Sequence, residues 1–423
     1  MKIAFVSQPF DDSVPPIESG SIQIWTYQVI LHLAKEHDIT VYAVRKPGNG
    51  AFQEEGGIKY RRMSLFWDRW ILRFMRLIKF WYRDPRKPHH ASVLYYIGYM
   101  IQTALDIRRR GYDVVHIHNY SQFVLPIRFF NPRVKIVLHM QGEWLSQLDH
   151  GMIRHRLSKV QQILGCSDYL MDKVVDVIPE VKAKVRTLYN GVDTTKFVAN
   201  GKYDHAEEDQ IVRFLFVGRH SPEKGVHDLL RAMQLLRERT DRFHLTVVGP
   251  KYVVPSDMIV DISSDPKVRD LRRFYGEDPN NQETYLKALE DLRADGLEDF
   301  VTFAGSIPHS QLAELYRDCD VLTNPSLSET FGIALVEGMA AMMPVVATRV
   351  GGMPEIVVPE ETGFVVESAD PEALAEVYYR LVSEAALRRQ MGTAGRRRAE
   401  AVFDWSIIAA NLIDLYRQIP ENA

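Results

Sequence analysis

The residues best suited to chemistry in this 423-residue chain are two cations and two carboxylates near short loops. Arg219 and Lys224 lie in Val217-Gly218-Arg219-His220-Ser221-Pro222-Glu223-Lys224-Gly225, between a β-like run and a helix carrying Leu229, Leu230 and Met233. Both can reach one phosphate group. The guanidinium offers two parallel hydrogen bonds and the ammonium a point charge, which suits a phosphate whose charge grows as the bond to it breaks. The same stretch also reads as a solvated loop with an Arg–Glu pair. The carboxylates belong to Asn324-Pro325-Ser326-Leu327-Ser328-Glu329-Thr330-Phe331-Gly332 and to the helix Ile333 to Met342, which Pro344 terminates. Gly332 permits close backbone approach, and the free N–H groups of the first helical turn form an anion site with the positive end of the dipole. Glu329 in the loop and Glu337 in the helix flank that site, and each can accept two hydrogen bonds from a vicinal diol. Taken singly, they also read as an ordinary first-turn acid and a salt-bridged helix residue.

These residues need elements that hold them at one edge. Short Val/Ile-rich runs at Ile3 to Val6, Ile39 to Val44, Val114 to Ile117, Val134 to Leu138 and Gln162 to Gly165 alternate with helical periodicity, which predicts parallel strands with crossover helices. A second alternation runs through Arg213 to Gly218, His244 to Gly249, Val301 to Gly305, Val321 to Asn324, Val345 to Thr348 and Gly363 to Val366. Between them, Asn200 to Gln210 reads as a polar linker. The stretch from Lys251 to Glu298 starts as an irregular insertion and ends in a helix marked by Tyr285, Leu286, Leu289 and Leu292. The length suits two domains, and open parallel sheets bind ligands at their carboxyl ends, where both loops fall.

A formal charge of -3 provides no global basic field, so nucleic acid is not an expected partner. Two cysteines, Cys166 and Cys319, sit in apolar runs without metal-ligand spacing, which suits a reduced, cytoplasmic compartment. Met1 to Ser7 passes directly into a β-like run with no signal-peptide core, and no stretch has the roughly 18 apolar residues of a spanning helix. His116 and His118 share one side of a strand, yet no Cys or carboxylate completes a zinc set at sensible spacing.

The segment Glu329-Thr330-Phe331-Gly332-Ile333-Ala334-Leu335-Val336-Glu337-Gly338-Met339-Ala340 resembles the E-x7-E signature of the family 4 retaining glycosyltransferases. Gly218-Arg219 through Lys224-Gly225, Asn190-Gly191-Val192-Asp193 and Gly351-Gly352-Met353-Pro354-Glu355 follow in the family's order, and the likeness is strongest from Leu188 to Val366. It implies an α/β GT-B fold: two Rossmann-like doubly wound domains facing a central cleft. Residues 1–195 would form the acceptor-side domain and 196–403 the nucleotide-sugar domain, with 404–423, including a helix from Asp404-Trp405 to Ile419, packing back on the first. Arg219 and Lys224 would bind the donor pyrophosphate, Glu337 the ribose and Glu329 the transferred sugar. Ile307 would lie against the nucleobase, and Gly332 and Ile333 would offer amides to the phosphates, with Gly218, Thr330 and Phe331 completing the donor site. His139 would approach the donor sugar. Where the family carries a Gly-Gly pair, this chain has Glu18-Ser19-Gly20-Ser21, and Gly20 still allows close approach by the backbone.

The resemblance further implies transfer of a hexose from a UDP-sugar to a bacterial polysaccharide or lipid-linked glycan, by front-face attack with no cofactor and no metal. UDP-glucose is the first choice of donor and UDP-GlcNAc the second. A UDP-sugar 2-epimerase and a nucleotide-sugar-binding pseudoenzyme are the rivals of other classes, the E-x7-E segment opposing the first and the intact set of polar residues the second. Asp318-Cys319-Asp320 looks like a metal-binding D-x-D, but it stands just before a strand, where the family carries a structural acid. A dehydrogenase would need G-x-G-x-x-G after the first strand, which is missing.

One further pattern concerns location. Projected as a helix, residues 65–83 gather Phe66, Trp67, Trp70, Ile71, Phe74, Met75, Leu77, Ile78, Trp81 and Tyr82 on one half and Arg69, Arg73, Arg76, Lys79 and Arg83 on the other. That division predicts peripheral attachment to an anionic membrane surface at the inner face of the plasma membrane, against the plainer reading of a helix packed on the first sheet.

Overall fold

The computed structural model describes residues 1–9, 17, 20–46, 48–77, 84, 86–198 and 210–420. The expected linker before Gln210, Ser19 of the early loop and residues 78–83 of the aromatic–basic segment lie outside them. The chain forms two compact units, Met1–Asn190 with Trp405–Ala423, and Gly191–Asp404. The division thus falls before the expected 195/196 boundary. Residues 191–195 join the second unit because Val192 N–H donates to the Phe403 carbonyl at 2.8 Å and Thr194 Oγ1 donates to the Asp404 carboxylate at 2.5 Å.

The first unit is built on strands β1 (Lys2–Val6), β2 (Asp38–Val44), β3 (Phe52–Glu55), β4 (Ile58–Met63), β5 (Val114–His118), β6 (Lys135–Met140), β7 (Gln162–Gly165) and β8 (Val185–Thr187), in the order β3-β4-β2-β1-β5-β6-β7-β8. All neighbours are parallel except β3 and β4, which the sequence reading lacks. Their hairpin turns on Gly56 and Gly57, both at positive φ, a conformation that only glycine adopts without strain. The central strands β1 and β5 are almost wholly buried, which explains why they read as continuous Val/Ile runs rather than alternations.

Trp25, Val29 and Ile30 of the helix Ser21–Leu33 pack on this sheet together with Trp405, Ile408, Leu412 and Ile413 of the helix Trp405–Arg417. Each such fully buried side chain contributes about 1.5–3 kcal/mol, enough to hold the last helix on this unit.

In the second unit β9 (Val212–Val217), β10 (Phe243–Val248), β11 (Val301–Gly305), β12 (Val321–Asn324), β13 (Val345–Thr348) and β14 (Gly363–Val366) form an all-parallel sheet ordered β11-β10-β9-β12-β13-β14. The stretch expected to be an insertion is instead part of its core. Val260, Val268, Leu271 and Tyr275 pack with Tyr285 and Leu289 of the helix Glu283–Ala294, because apolar residues spaced through irregular backbone bury as readily as those on a helix. Strand order reverses between β9 and β12, and at such a switch point the loops leaving the two strands open away from each other. Those are the loops that carry Arg219, Lys224 and Glu329. No helix of the described residues is long and apolar enough to cross a membrane.

Candidate active site

The loop after β9 and the loop after β12 are joined through Glu223, which the sequence reading had placed only in a solvated Arg–Glu pair. Its side chain is 1 % exposed: one carboxylate oxygen takes bonds from Arg219 Nε and Nη2, both at 3.1 Å, and the other accepts from Ser221 Oγ. Its backbone carbonyl accepts the N–H groups of Leu327 at 2.8 Å and Ser328 at 3.2 Å. Gly225, at φ 70°, makes the approach possible, since a Cβ there would stand 2.1 Å from the Pro325 carbonyl oxygen. Gly351 does the same on the far side, where a Cβ would meet the Glu329 carbonyl oxygen at 1.5 Å.

This clamp brings Lys224 Nζ to 2.8 Å from Glu329 Oε2, with both side chains mostly buried. Thr330 N–H donates to Glu329 Oε1 at 3.0 Å. Burial works against the charged carboxylate, but Lys224's charge and hydrogen bond, Arg219's charge and the Thr330 amide together outweigh it and hold the Glu329 pKa below the ordinary glutamate value. Glu329 is therefore ionised at neutral pH. Gly332, at φ 106°, begins the helix Ile333–Ala340, slightly shorter than expected, whose opening amides lack intrahelical acceptors. Two cations, a carboxylate and a helix N-terminus thus meet at one switch point.

Glu337 lies on the same helix, buried. Its Oε1 is 2.8 Å from His309 Nε2 and its Oε2 accepts from Tyr316 Oη at 2.7 Å. The phenol's own pKa is raised far above its usual value by burial and then by the Glu337 charge, so it stays a donor. Neither partner was named from the sequence. The available signal was their position: His309 and Tyr316 are about two turns apart on the helix His309–Asp318, directly after Ile307. Ile307 and Ile333 are half-buried, and Gly218 stands where a Cβ would press on the Phe216 ring at 3.0 Å. The Phe331 side chain is 2 % exposed and packs against the Phe403 ring, 6.1 Å between centroids.

In the first unit Gly20, at φ 87°, precedes the helix Ser21–Leu33. His139 has no exposed surface and forms a network with the two histidines of β5. His139 Nδ1 is 3.2 Å from His116 Nε2, His139 Nε2 is 3.2 Å from Gln141 Nε2, and His116 Nδ1 is 2.6 Å from Tyr416 Oη. Thr26 Oγ1 donates its one hydrogen to the Ile22 carbonyl, so at 3.1 Å from His118 Nε2 it accepts, which puts that ring's proton on Nε2. His118 Nδ1 has no partner among the described residues. Trp25 packs against all three rings.

One ring nitrogen from each histidine lies within 4.8 Å of the others, so a third ring joins the pair His116 and His118, for which the sequence showed no completing ligand. It comes from the neighbouring strand, where His118 and His139 are in register. These are the described residues that could hold a metal ion, and here His116 bonds to His139 and Tyr416, His139 also to Gln141, and His118 to Thr26. Burial drives all three pKa values down, His118 to about 3, so the rings are neutral at physiological pH.

Residues 22–196 match the family profile described as "Glycosyltransferase Family 4" and residues 201–398 the profile "Glycosyl transferases group 1". Spore coat protein SA of Bacillus subtilis is 25% identical over 432 residues, covering 99% of this chain and 100% of that protein. Sucrose-phosphate synthase from Thermosynechococcus elongatus shares the fold, with TM-score 0.71 at 21% identity over 99% of this chain and 98% of that one. Anabaena HepE in complex with UDP-glucose gives 0.67 at 17% over 98% of each chain. Two parallel-sheet units, the loop clamp at the second sheet's switch point and profile matches through both halves converge on one assignment: the chain belongs to the family 4 glycosyltransferases and is a glycosyltransferase of the GT-B fold.

Proposed function

We propose that this glycosyltransferase moves a hexose, glucose first among the candidates, from a UDP-sugar to a bacterial polysaccharide or lipid-linked glycan acceptor, with retention of configuration and without a metal. The observation that carries this reading is the Lys224–Glu329 pair at 2.8 Å, set between Arg219 and the helix N-terminus at Gly332. Before donor arrives, the lysine neutralises the glutamate. A pyrophosphate entering the switch point draws Lys224 and Arg219 to its oxygens, and the released Glu329 carboxylate accepts hydrogen bonds from the sugar hydroxyls. The same cations that bind the donor then stabilise the charge that grows on the departing diphosphate.

The acceptor oxygen bonds to C1 from the face the phosphate leaves. The C1–O bond to UDP breaks with its electron pair on the phosphate, and that oxygen takes the acceptor's proton, so no protein carboxylate acts as nucleophile or base. Glu337, held by His309 and Tyr316, keeps lone pairs for the ribose hydroxyls. The two cations and the helix dipole supply the positive charge that a divalent ion supplies elsewhere. Support for a uridine donor comes from the fold's likeness to HepE, which was solved with UDP-glucose.

A donor screen by thermal shift and by UDP release tests the reading, since a ligand that binds only the folded state raises its stability. UDP-glucose should give the largest shift and measurable UDP release, both with chelator present. A shift from GDP- or ADP-sugars alone would overturn the donor assignment.

A further inference from the structure

The helix Phe66–Leu77 shows a feature that sugar transfer does not use. Its rotation is fixed by one buried acid: Asp68 Oδ1 accepts from Gly98 N–H at 2.8 Å, in the first turn of the helix Ile97–Arg110. Met75 is buried on the same side, with Ile71 and Leu72 half-buried next to it. The face turned to the protein is therefore Asp68, Ile71, Leu72 and Met75, which moves Ile71 and Met75 out of the outward apolar half expected from the sequence. What remains outside is Phe66 at 60%, Trp67 at 66%, Trp70 at 61%, Phe74 at 58% and Leu77 at 74% exposure.

At 100° per residue these five fill an arc of about 100°, and Arg69, Arg73 and Arg76 fill the arc directly beside it. All three arginines are exposed, and none pairs with an acid among the described residues. We infer that this face docks on an anionic lipid bilayer surface, a role that goes beyond the transfer reaction and brings the enzyme to acceptors carried on lipid.

The choice of occupant rests on charge and geometry. An aromatic stripe about 18 Å long, flanked along about 10 Å of it by cations that pair with no acid among the described residues, needs a partner that is apolar and acidic side by side. A bilayer presents that pairing at the boundary between hydrocarbon and acidic headgroups, where tryptophan rings also settle. A second copy of this chain docked by twofold symmetry would lay the same stripe against itself and, with the helices antiparallel, bring its arginine row alongside its own image, with no acid on the face to relieve it.

Co-sedimentation at low salt decides the matter, with vesicles of phosphatidylcholine alone and of phosphatidylcholine mixed with phosphatidylglycerol. Wild type should partition to the mixed vesicles. The exposed-site variant R69Q/R73Q/R76Q should bind them on the order of a hundredfold more weakly, and W67S/W70S should lose binding to them as well. Circular dichroism and UDP calorimetry should match wild type in both variants, so loss of docking is separated from loss of fold or of donor binding. Equal vesicle binding by wild type and both variants, or none by wild type, would overturn the proposal. So would a wild-type dimer that W67S/W70S dissolves, because the stripe would then belong to a second copy.

Discussion

At Glu337 the two carboxylate oxygens are divided between an imidazole and a phenol, 2.8 and 2.7 Å away, so removing the carboxylate leaves a buried phenol and a half-buried imidazole without their acceptor. Glu337→Ala should cost about 1–3 kcal/mol in a urea titration. Glu337→Gln, which still offers an acceptor to Tyr316, should cost less. Both should weaken UDP binding in calorimetry, because neither presents two acceptor oxygens to a ribose diol; unchanged UDP affinity in Glu337→Gln would remove the ribose from this residue. Arg219, Lys224 and Glu329 were legible in the sequence because each follows the end of a strand, where ligands of open sheets gather. Glu223, His309 and Tyr316 were not legible as site residues. Their roles depend on bonds between segments far apart in sequence, such as Glu223 to Leu327 and Tyr316 to Glu337, and no local spacing encodes those.

The helix Trp405–Arg417 carries Tyr416 to His116, and His116 in turn touches His139. An aromatic hydroxyl brought by the last helix of the chain thus fixes one ring of the histidine network. Tyr416→Phe removes that bond and leaves His116 Nδ1 without a partner in a fully buried position, so the first unit should lose about 1–3 kcal/mol, read from urea denaturation. An unchanged midpoint would show that the ring finds another partner. Most strands could be located from the sequence to within a residue or two, since a parallel sheet buried on both faces shows itself as short Val/Ile runs. Strands β3, β4 and β8 were missed for the opposite reason: β3 and β8 carry exposed, polar residues at the sheet's edges, and β4 alternates. The helix Phe66–Leu77 was legible as an amphipathic element, but its rotation was not, because the residue that sets it is a buried aspartate which periodicity assigns to the solvent side.

Across the whole molecule, buried histidines set the response to acid. His118 and His227 are lowered to about 3 and His220 to about 4, each chiefly by burial, and His116 and His139 are lowered well below their ordinary value. An unfolded histidine takes up its proton near pH 6.5, whereas these folded ones do not, so stability is full above about pH 6.5 and falls as the pH drops toward the folded values. Each ring contributes about 1.4 kcal/mol per pH unit over that window. The urea midpoint should therefore decline steeply from pH 6.5 to 5, well before Glu329, whose pKa is depressed, loses its charge below the ordinary glutamate range. A flat profile between pH 7 and 5 would mean that the rings are protonated in the folded protein. We propose that Arg219, Lys224 and the helix N-terminus at Gly332 form a diphosphate site that needs no metal. Calorimetric titration of UDP after exhaustive chelation, into wild type and Lys224→Ala, tests it most directly. Loss of one charge-assisted hydrogen bond should weaken binding by about tenfold or more, with wild type binding undiminished by the chelator. Equal affinity in the two proteins, or wild-type binding that returns only with magnesium or manganese, would contradict the account.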